Sequence, residues 1–347
     1  MRSFLDSAIT LKQVIQFGFG LAITALFVVL IARNVNGAEL LAVLRQARAE
    51  WVALAIVLFL LGYACRISRW QLMLRHDNNR LRWADCALPL LASVAANNVL
   101  PFRIGDVLRV FGFSRQLDVP ITTMLASLIV ERLLDLMCLL IALACCFLFI
   151  DFDFRFAERL TGLGGLGVLV MVIMVAGLLL FPHSFERPVR MGLRVLSKIS
   201  PPLADKISSF SDRVFEALRR LSHGPQILKL FGWSALAWIF EGLVFWATAC
   251  AIPSFRVLAA LLAFPVSTLA TLLPSSPGYV GTFDYFAIAS AEALGTDPAA
   301  ATAFALLVHL VIWLPTTVIG GIGLAYLSLN RHSKVSLFKV SNQTSDR

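Results

Sequence analysis

The chain has 347 residues, of which 59% are hydrophobic and 15% charged, with a formal net charge of +9. Soluble domains average about 45–50% apolar and about 25% charged residues, so this composition excludes an ordinary soluble globule and marks an integral membrane protein. The positive balance sits largely in segments expected at the inner membrane face, so nucleic-acid binding is not needed to explain it.

The first apolar run, near 13–33, is too long for a signal-peptide core, and "NVNGAEL" after it lacks a small-x-small cleavage site. It is expected to remain as an anchor. Further runs near 51–74, 119–150, 160–181, 230–251 and 298–329 each reach the roughly 20 residues a helix needs to cross a bilayer. Two segments, 84–115 and 255–294, are apolar but interrupted by proline and glycine. The cysteines (Cys65, Cys86, Cys138, Cys145, Cys146 and Cys250) all lie in apolar segments without metal-ligand spacing, so they read as small core residues.

Lysine and arginine fix the expected orientation. The 182–229 connection is rich in both, the 75–82 loop holds Arg75, Arg80 and Arg82, and the tail after 329 begins "NRHSK"; such loops stay cytoplasmic. Residue 118 must then be inside and residues 252 and 297 outside. The segment 84–115 therefore dips in from the inner face and 255–294 from the outer face. The expected fold is an all-α polytopic membrane protein of six full spans plus two re-entrant helical hairpins, with both termini cytoplasmic. Its halves, about 10–150 and 160–330, read as an inverted-topology repeat within a single unit 1–330. An amphipathic cytoplasmic connection (187–222) and a tail (331–347) complete it. In the connection, Leu203, Ile207, Phe210, Val214, Leu218 and Leu221 recur at helical spacing, which predicts one surface-lying helix.

Inverted repeats with broken helices near mid-membrane are a transporter design, because non-helical backbone survives at that depth only where protein or water satisfies it. The breaks are "NNVLPFRIGD" (97–106) and "LPSSPGYVGTFD" (273–284). In the first, Arg103 and Arg109 follow Pro101, and guanidinium suits phosphate; Arg109 and Arg115 also read as interface residues. Asn97 and Asn98 precede the break, where amides cap freed backbone. In the second, Ser275 and Ser276 offer hydroxyls, Gly278 and Gly281 permit close backbone approach, and Asp284 reads as a helix cap or a proton carrier.

Ionised side chains inside spans are costly and mark function or an internal pair. Glu131 and Asp135 share one helix face close to mid-membrane, with Arg132 beside them; they read as a cavity-facing stripe or as partners of Arg103 or Arg109. Arg66 and Arg69 read as snorkelling groups or as the lining of the cytoplasmic entrance. Glu241, inside the fifth span, would be neutral if unpaired; it reads as the candidate for proton coupling or as a protonated glutamate hydrogen-bonded to the second hairpin. His309 reads as a packed polar residue rather than a ligand.

The stretches "RISRW" (66–70), "NNVLPFRIGDVLRV" (97–110), "ERLLD" (131–135) and "PSSPGYVGTFD" (274–284) resemble the lysylphosphatidylglycerol synthase transmembrane region, or flippase-like, family over about residues 10–330. Bifunctional members of that family carry a soluble aminoacyltransferase domain after the membrane region. These 347 residues hold no such domain, so the expectation is a transporter and not a lipid-lysylating enzyme. The resemblance implies movement of an anionic or aminoacylated phospholipid, or a lipid-linked molecule, between leaflets of an inner (plasma) membrane. The substrate site would comprise Arg66, Arg69, Asn98, Arg103, Asp106, Arg109, Glu131, Arg132, Asp135, Ser275, Ser276, Gly278, Gly281 and Asp284. Asp106 and Asp284 stand where the family commonly has glutamate, and Tyr279-Val280 replaces a Gly-Ile pair; both departures bear on head-group selectivity. No cofactor, metal or catalytic group is expected. A homodimer and a lipid-modifying enzyme partner both remain open, as do two other functions: a non-transporting accessory subunit of a lipid-modifying or lipid-linked glycan pathway, and a membrane-embedded transferase.

Overall fold

A computed structural model of the protein describes residues 36–149, 182–222, 225–253, 255–272 and 277–344, with short pieces at 29, 31, 167, 170–175 and 177. Among these residues all regular structure is helical. In chain order the helices are α1 (Gly37–Arg45), α2 (Ala49–Leu74), α3 (Trp83–Val99), α4 (Ile104–Val107), α5 (Phe113–Leu117), α6 (Ile121–Phe149), α7 (Pro182–Ile199) and α8 (Pro201–Ser222). They are followed by α9 (Pro225–Ala251), α10 (Val257–Ala270), α11 (Thr282–Ala293) and α12 (Pro298–Thr344). A π-helical turn, Leu108–Gly112, joins α4 to α5, and 3-10 turns occupy Pro101–Arg103 and Pro277–Tyr279.

Among the described residues, α2, α6, α9 and the Pro298–Tyr326 part of α12 are long and apolar enough to cross a membrane. The runs expected at 13–33 and 160–181 lie largely outside the described residues. The last helix continues beyond its apolar part to Thr344, into the segment read as a tail. One expectation is corrected in the 182–222 connection: it holds two helices, α7 and α8, not one. Ser200 is non-helical between them, because the residue before a proline disfavours the α conformation while Pro201 suits a first helical position.

α2 and α9 form the central pair. The Arg48 N–H, just before α2, donates to the Ala251 carbonyl at the end of α9 at 2.9 Å. Trp51 meets Trp246 edge to face at 5.3 Å, Ala55 and Phe59 bury against Val244 and Ala247, and Gly62 lets the backbones approach beside Ala237. One apolar core flanks this pair around Trp70, Leu74, Met124 and Leu134. The other, around Phe245, Phe264, Phe283 and Phe304, holds α9 to α12 together.

Both interrupted segments are helical hairpins. Leu100 is extended ahead of Pro101, which ends α3, and Arg103 takes a left-handed conformation (φ 51°) that turns the chain back. Gly105 then lies so close to α3 that a Cβ on it would stand 1.8 Å from the Ser93 carbonyl oxygen. In the second hairpin, Gly278, Tyr279 and Gly281 are all left-handed or beyond (φ 71°, 60° and 84°), and α10 packs along α11. The tips of the two hairpins meet: a Cβ on Gly278 would lie 3.3 Å from the Asn98 carbonyl oxygen and 2.8 Å from Trp313 Nε1 of α12.

Candidate functional site

A polar cavity of about 210 Å³ lies where the two breaks converge, walled by α2, α3, α6, α9 and α12. Its lining carries Arg66, Asp106, Arg109, Glu131, Arg132 and Glu241, together with Tyr63, Asn97, Asn98, Trp238, Thr271, Gly278, Tyr279, His309, Trp313 and Thr316.

The charges are arranged in pairs. Arg109 forms a two-pronged contact with Glu131, at 3.1 and 2.5 Å, and stacks on the Trp70 ring at 4.3 Å. Arg69, fully buried, donates to Asp135 at 2.6 Å and to Ser234 Oγ at 2.8 Å, and also faces Glu131 at 3.7 Å. Asp135 accepts a further bond from Trp238 Nε1 at 3.0 Å. Arg132 reaches back to Asp106 at 3.1 Å. Fork-on-carboxylate geometry of this kind keeps both charges satisfied away from water, and losing one member strands the other.

Several expectations change at this point. Arg69 does not snorkel; the carboxylates of α6 draw it into the protein. Arg66 also turns inward, to Glu241 at 3.2 Å, with its guanidinium 4.5 Å from the Trp238 ring and 5.6 Å from Tyr63. Glu241 therefore is not unpaired, and the partner it has is Arg66 of α2. Arg115 is exposed, whereas Arg109 is buried. Asn97 caps freed backbone as expected, accepting the Asp106 N–H at 3.2 Å. Asn98 does not: its amide donates to the hydroxyls of Thr316 and Thr317 at 3.2 and 2.9 Å, tying the first break to α12.

Arg103 differs from the other arginines. Its guanidinium donates to the Thr271 carbonyl at 3.1 Å, at the end of α10, and lies 5.9 Å from the centre of the Tyr279 ring. The two non-glycine residues that hold left-handed backbone in the breaks thus face each other across the junction. Asp284 accepts the Gly281 N–H at 2.8 Å, capping α11, while its other oxygen stands 2.7 Å from His309 Nδ1. Ser275 and Ser276 lie outside the described residues.

The sequence reading missed the aromatic and hydroxyl part of the lining. Its signal is visible in "HLVIWLPTT": His309, Trp313 and Thr316 recur at four and three residues, one helix face of α12. A second, apolar cavity of about 640 Å³ opens between α6, α9 and α10, and Trp238 lines both cavities.

Comparison with known proteins agrees with this architecture. The chain is 26% identical over 341 residues to "Glycosyltransferase AglD" of Haloferax volcanii, covering 90% of this chain but 54% of that protein. This chain therefore spans about half the length of that relative. It is 23% identical over 325 residues to "UPF0104 membrane protein MJ1595" of Methanocaldococcus jannaschii, covering 88% of this chain and 93% of that protein. Residues 18–320, which include every hairpin and every cavity residue named above, match the model of the lysylphosphatidylglycerol synthase transmembrane region, and the chain belongs to that family.

Proposed function

We propose that this protein moves a lipid, or a molecule carried on a lipid, between the leaflets of an inner membrane, without acting as an enzyme on it. In this reading the chain has six spans, the two hairpins are re-entrant from opposite faces, and the halves form an inverted repeat with both termini cytoplasmic. The observation that carries the proposal is the polar cavity at the meeting of the two hairpin tips, lined by fixed charges inside an otherwise apolar body. Charged groups in a spanning segment cost about 2.5–3.5 kcal/mol each on insertion scales, and they ordinarily mark a substrate path. A polar interior lowers the barrier to carrying a head group through hydrocarbon, and the adjoining apolar cavity behind Trp238 offers the tail an apolar wall. Arg66 is suited to an anionic head group because Glu241 occupies only one of its nitrogens, and its buried Nε has no partner among the described residues.

The experiment is leaflet exchange in proteoliposomes. Purified protein is reconstituted with fluorescent anionic, aminoacylated or zwitterionic phospholipids, and dithionite quenching reports exchange. Selective exchange, lost in Arg66→Gln combined with Glu241→Gln, which leaves no charge unpaired, while that variant keeps a melting temperature within a few degrees of the parent, is the expected result. Absence of exchange for every lipid, with or without a pH gradient, would remove the reading.

A second reading comes from the Haloferax relative, whose name denotes a glycosyltransferase. On that reading the chain serves a lipid-linked glycan pathway, as an accessory subunit or as part of a transferase. Incorporation of labelled sugar into a polyprenyl-phosphate acceptor by the purified chain would favour it over transport.

A further inference from the structure

The strongest unassigned feature is the pair formed by His309 and Asp284. Its geometry is specific: Nδ1 of the imidazole stands 2.7 Å from Asp284 Oδ1, and Asp284 Oδ2 is itself fixed by the Gly281 N–H at 2.8 Å. The carboxylate is therefore held on one side of the ring by the backbone of the second break. Phe283 packs edge-on against the imidazole at 5.3 Å. The ring lines the polar cavity, and among the described residues its Nε2 has no hydrogen-bond partner.

The charge balance around it gives this geometry a consequence. The four arginine–carboxylate pairs described above cancel, and Arg103 and Asp284, each bonded elsewhere, add one charge of each sign to the junction. With a neutral imidazole the junction carries no net charge, so an anion entering it meets no surplus cation. Imidazole is the side-chain type that ordinarily changes charge between about pH 5 and pH 8. One proton on His309 would leave the junction with a net single positive charge and turn Nε2 from an acceptor into a donor.

Other ionisable groups share its surroundings. Tyr63 and Arg66 come from α2 and Glu241 from α9; Arg66 and Glu241 are bonded to each other. Protonating Glu241 would strand Arg66. Tyr279 comes from the second break, and α3 contributes amides to this side of the cavity, not charges. Glu39 and Arg45 of α1, which also packs on α12, are exposed.

We infer that His309, oriented by Asp284, is a proton-binding site of the cavity, and that its protonated form receives the anionic group of an amphiphile there. The identity of the anion rests on the lipid-handling reading above. Linkage makes the effect reciprocal: if the proton strengthens anion binding, the anion strengthens proton binding by the same factor.

Two measurements test this on the full chain in phosphatidylcholine nanodiscs. The first follows ¹⁵N-imidazole resonances with pH, the His309 signal being the one absent from His309→Gln. The second measures binding of short-chain phosphatidylglycerol and short-chain phosphatidylcholine by calorimetry at pH about 5.5 and about 8.0. The expected results are a His309 signal that titrates in that range and phosphatidylglycerol affinity about fivefold or more higher at the lower pH. That ratio should vanish in His309→Gln and shrink in Asp284→Asn, with phosphatidylcholine indifferent to pH throughout. A His309 signal unchanged across the range overturns the inference even where lipid exchange is measured. So does an equal pH ratio in His309→Gln, or no phosphatidylglycerol binding at either pH. Conversely, His309-dependent, pH-linked binding without leaflet exchange upholds the inference and removes the transport reading.

Discussion

The first break, at Leu100–Arg103, is surrounded by paired full charges; among the described residues the second carries glycines, aromatic rings and a carboxylate with its imidazole, and receives Arg103 from the first. Both are entered by an apolar helix, turned by left-handed residues and continued by a helix that packs back on the first limb. The difference lies in what holds each tip. Around the first, Arg109–Glu131 and Arg132–Asp106 clamp the returning limb onto α6, and Arg69–Asp135 fixes α6 to α2 behind them. In a low-dielectric interior such pairs are strong only while complete, which makes the first tip rigid. Among the described residues, the bonds at the second tip include the Asp284 cap on Gly281, the Asp284–His309 contact and the Arg103 bond to the Thr271 carbonyl. One plan thus yields one tip clamped by ion pairs and another joined through a cap, a histidine and an arginine of the first.

The largest expected effect comes from breaking the ion-paired side. Arg69→Ala should destabilise the protein by about 3–5 kcal/mol, because it leaves Asp135 charged, buried and unpaired. Reversible unfolding in mixed micelles measures it, and Arg69→Met combined with Asp135→Leu should recover at least half of the loss. A single-mutant cost under about 1 kcal/mol would break the comparison.

Gly105→Ala comes next, at about 2–3 kcal/mol, since its Cβ would collide with backbone of α3 that cannot yield. Gly278→Ala in the other break should cost about 1–2 kcal/mol. There the penalty is the positive φ together with contacts at 2.8 Å to the Trp313 side chain and 3.3 Å to the Asn98 carbonyl oxygen, both longer than the 1.8 Å approach at Gly105. If the second substitution proved the costlier, the second tip would be the rigid one. Asp284→Asn is smaller still, about 1 kcal/mol or less, because the amide oxygen can still cap Gly281; the pH dependence of anion binding, not stability, is where that change should register.

How much of this was legible depends on the range of the interaction. The spans were readable from unbroken apolar length, and the breaks from Pro101, Pro277 and the glycines, because those properties are local in sequence. The shared face of Glu131 and Asp135 followed from their spacing of four. Their partners did not: Arg66 meets Glu241 across 175 positions and Arg69 meets Asp135 across 66, and helical period says nothing about which helices become neighbours. For that reason Arg69 looked like an interfacial residue and Glu241 like a carboxyl without a cation beside it. His309 was discounted because a single histidine in an apolar run usually packs; the stripe it forms with Trp313 and Thr316 was the available clue. The division of the 182–222 connection at Ser200 was also written in the sequence, in Pro201-Pro202, but the spacing from Leu203 to Leu221 lies wholly within α8 and says nothing of α7.

The smallest predicted change sits where the two breaks touch, and it separates strain from contact. Arg103 holds φ 51° while bonding the Thr271 carbonyl and facing Tyr279. A non-glycine residue in that conformation costs about 1 kcal/mol or more, whereas the hydrogen bond and ring contact together return a similar amount. Arg103→Gln keeps the strain and weakens the contacts, so it should lose about 1 kcal/mol. Arg103→Gly loses the contacts and also the strain, and should fall within about 0.5 kcal/mol of the parent. If glycine were as destabilising as glutamine, the left-handed turn at 103 would carry no strain. The link from Arg103 to Thr271 would then be the whole stabilising contribution of this residue to the junction between the two tips.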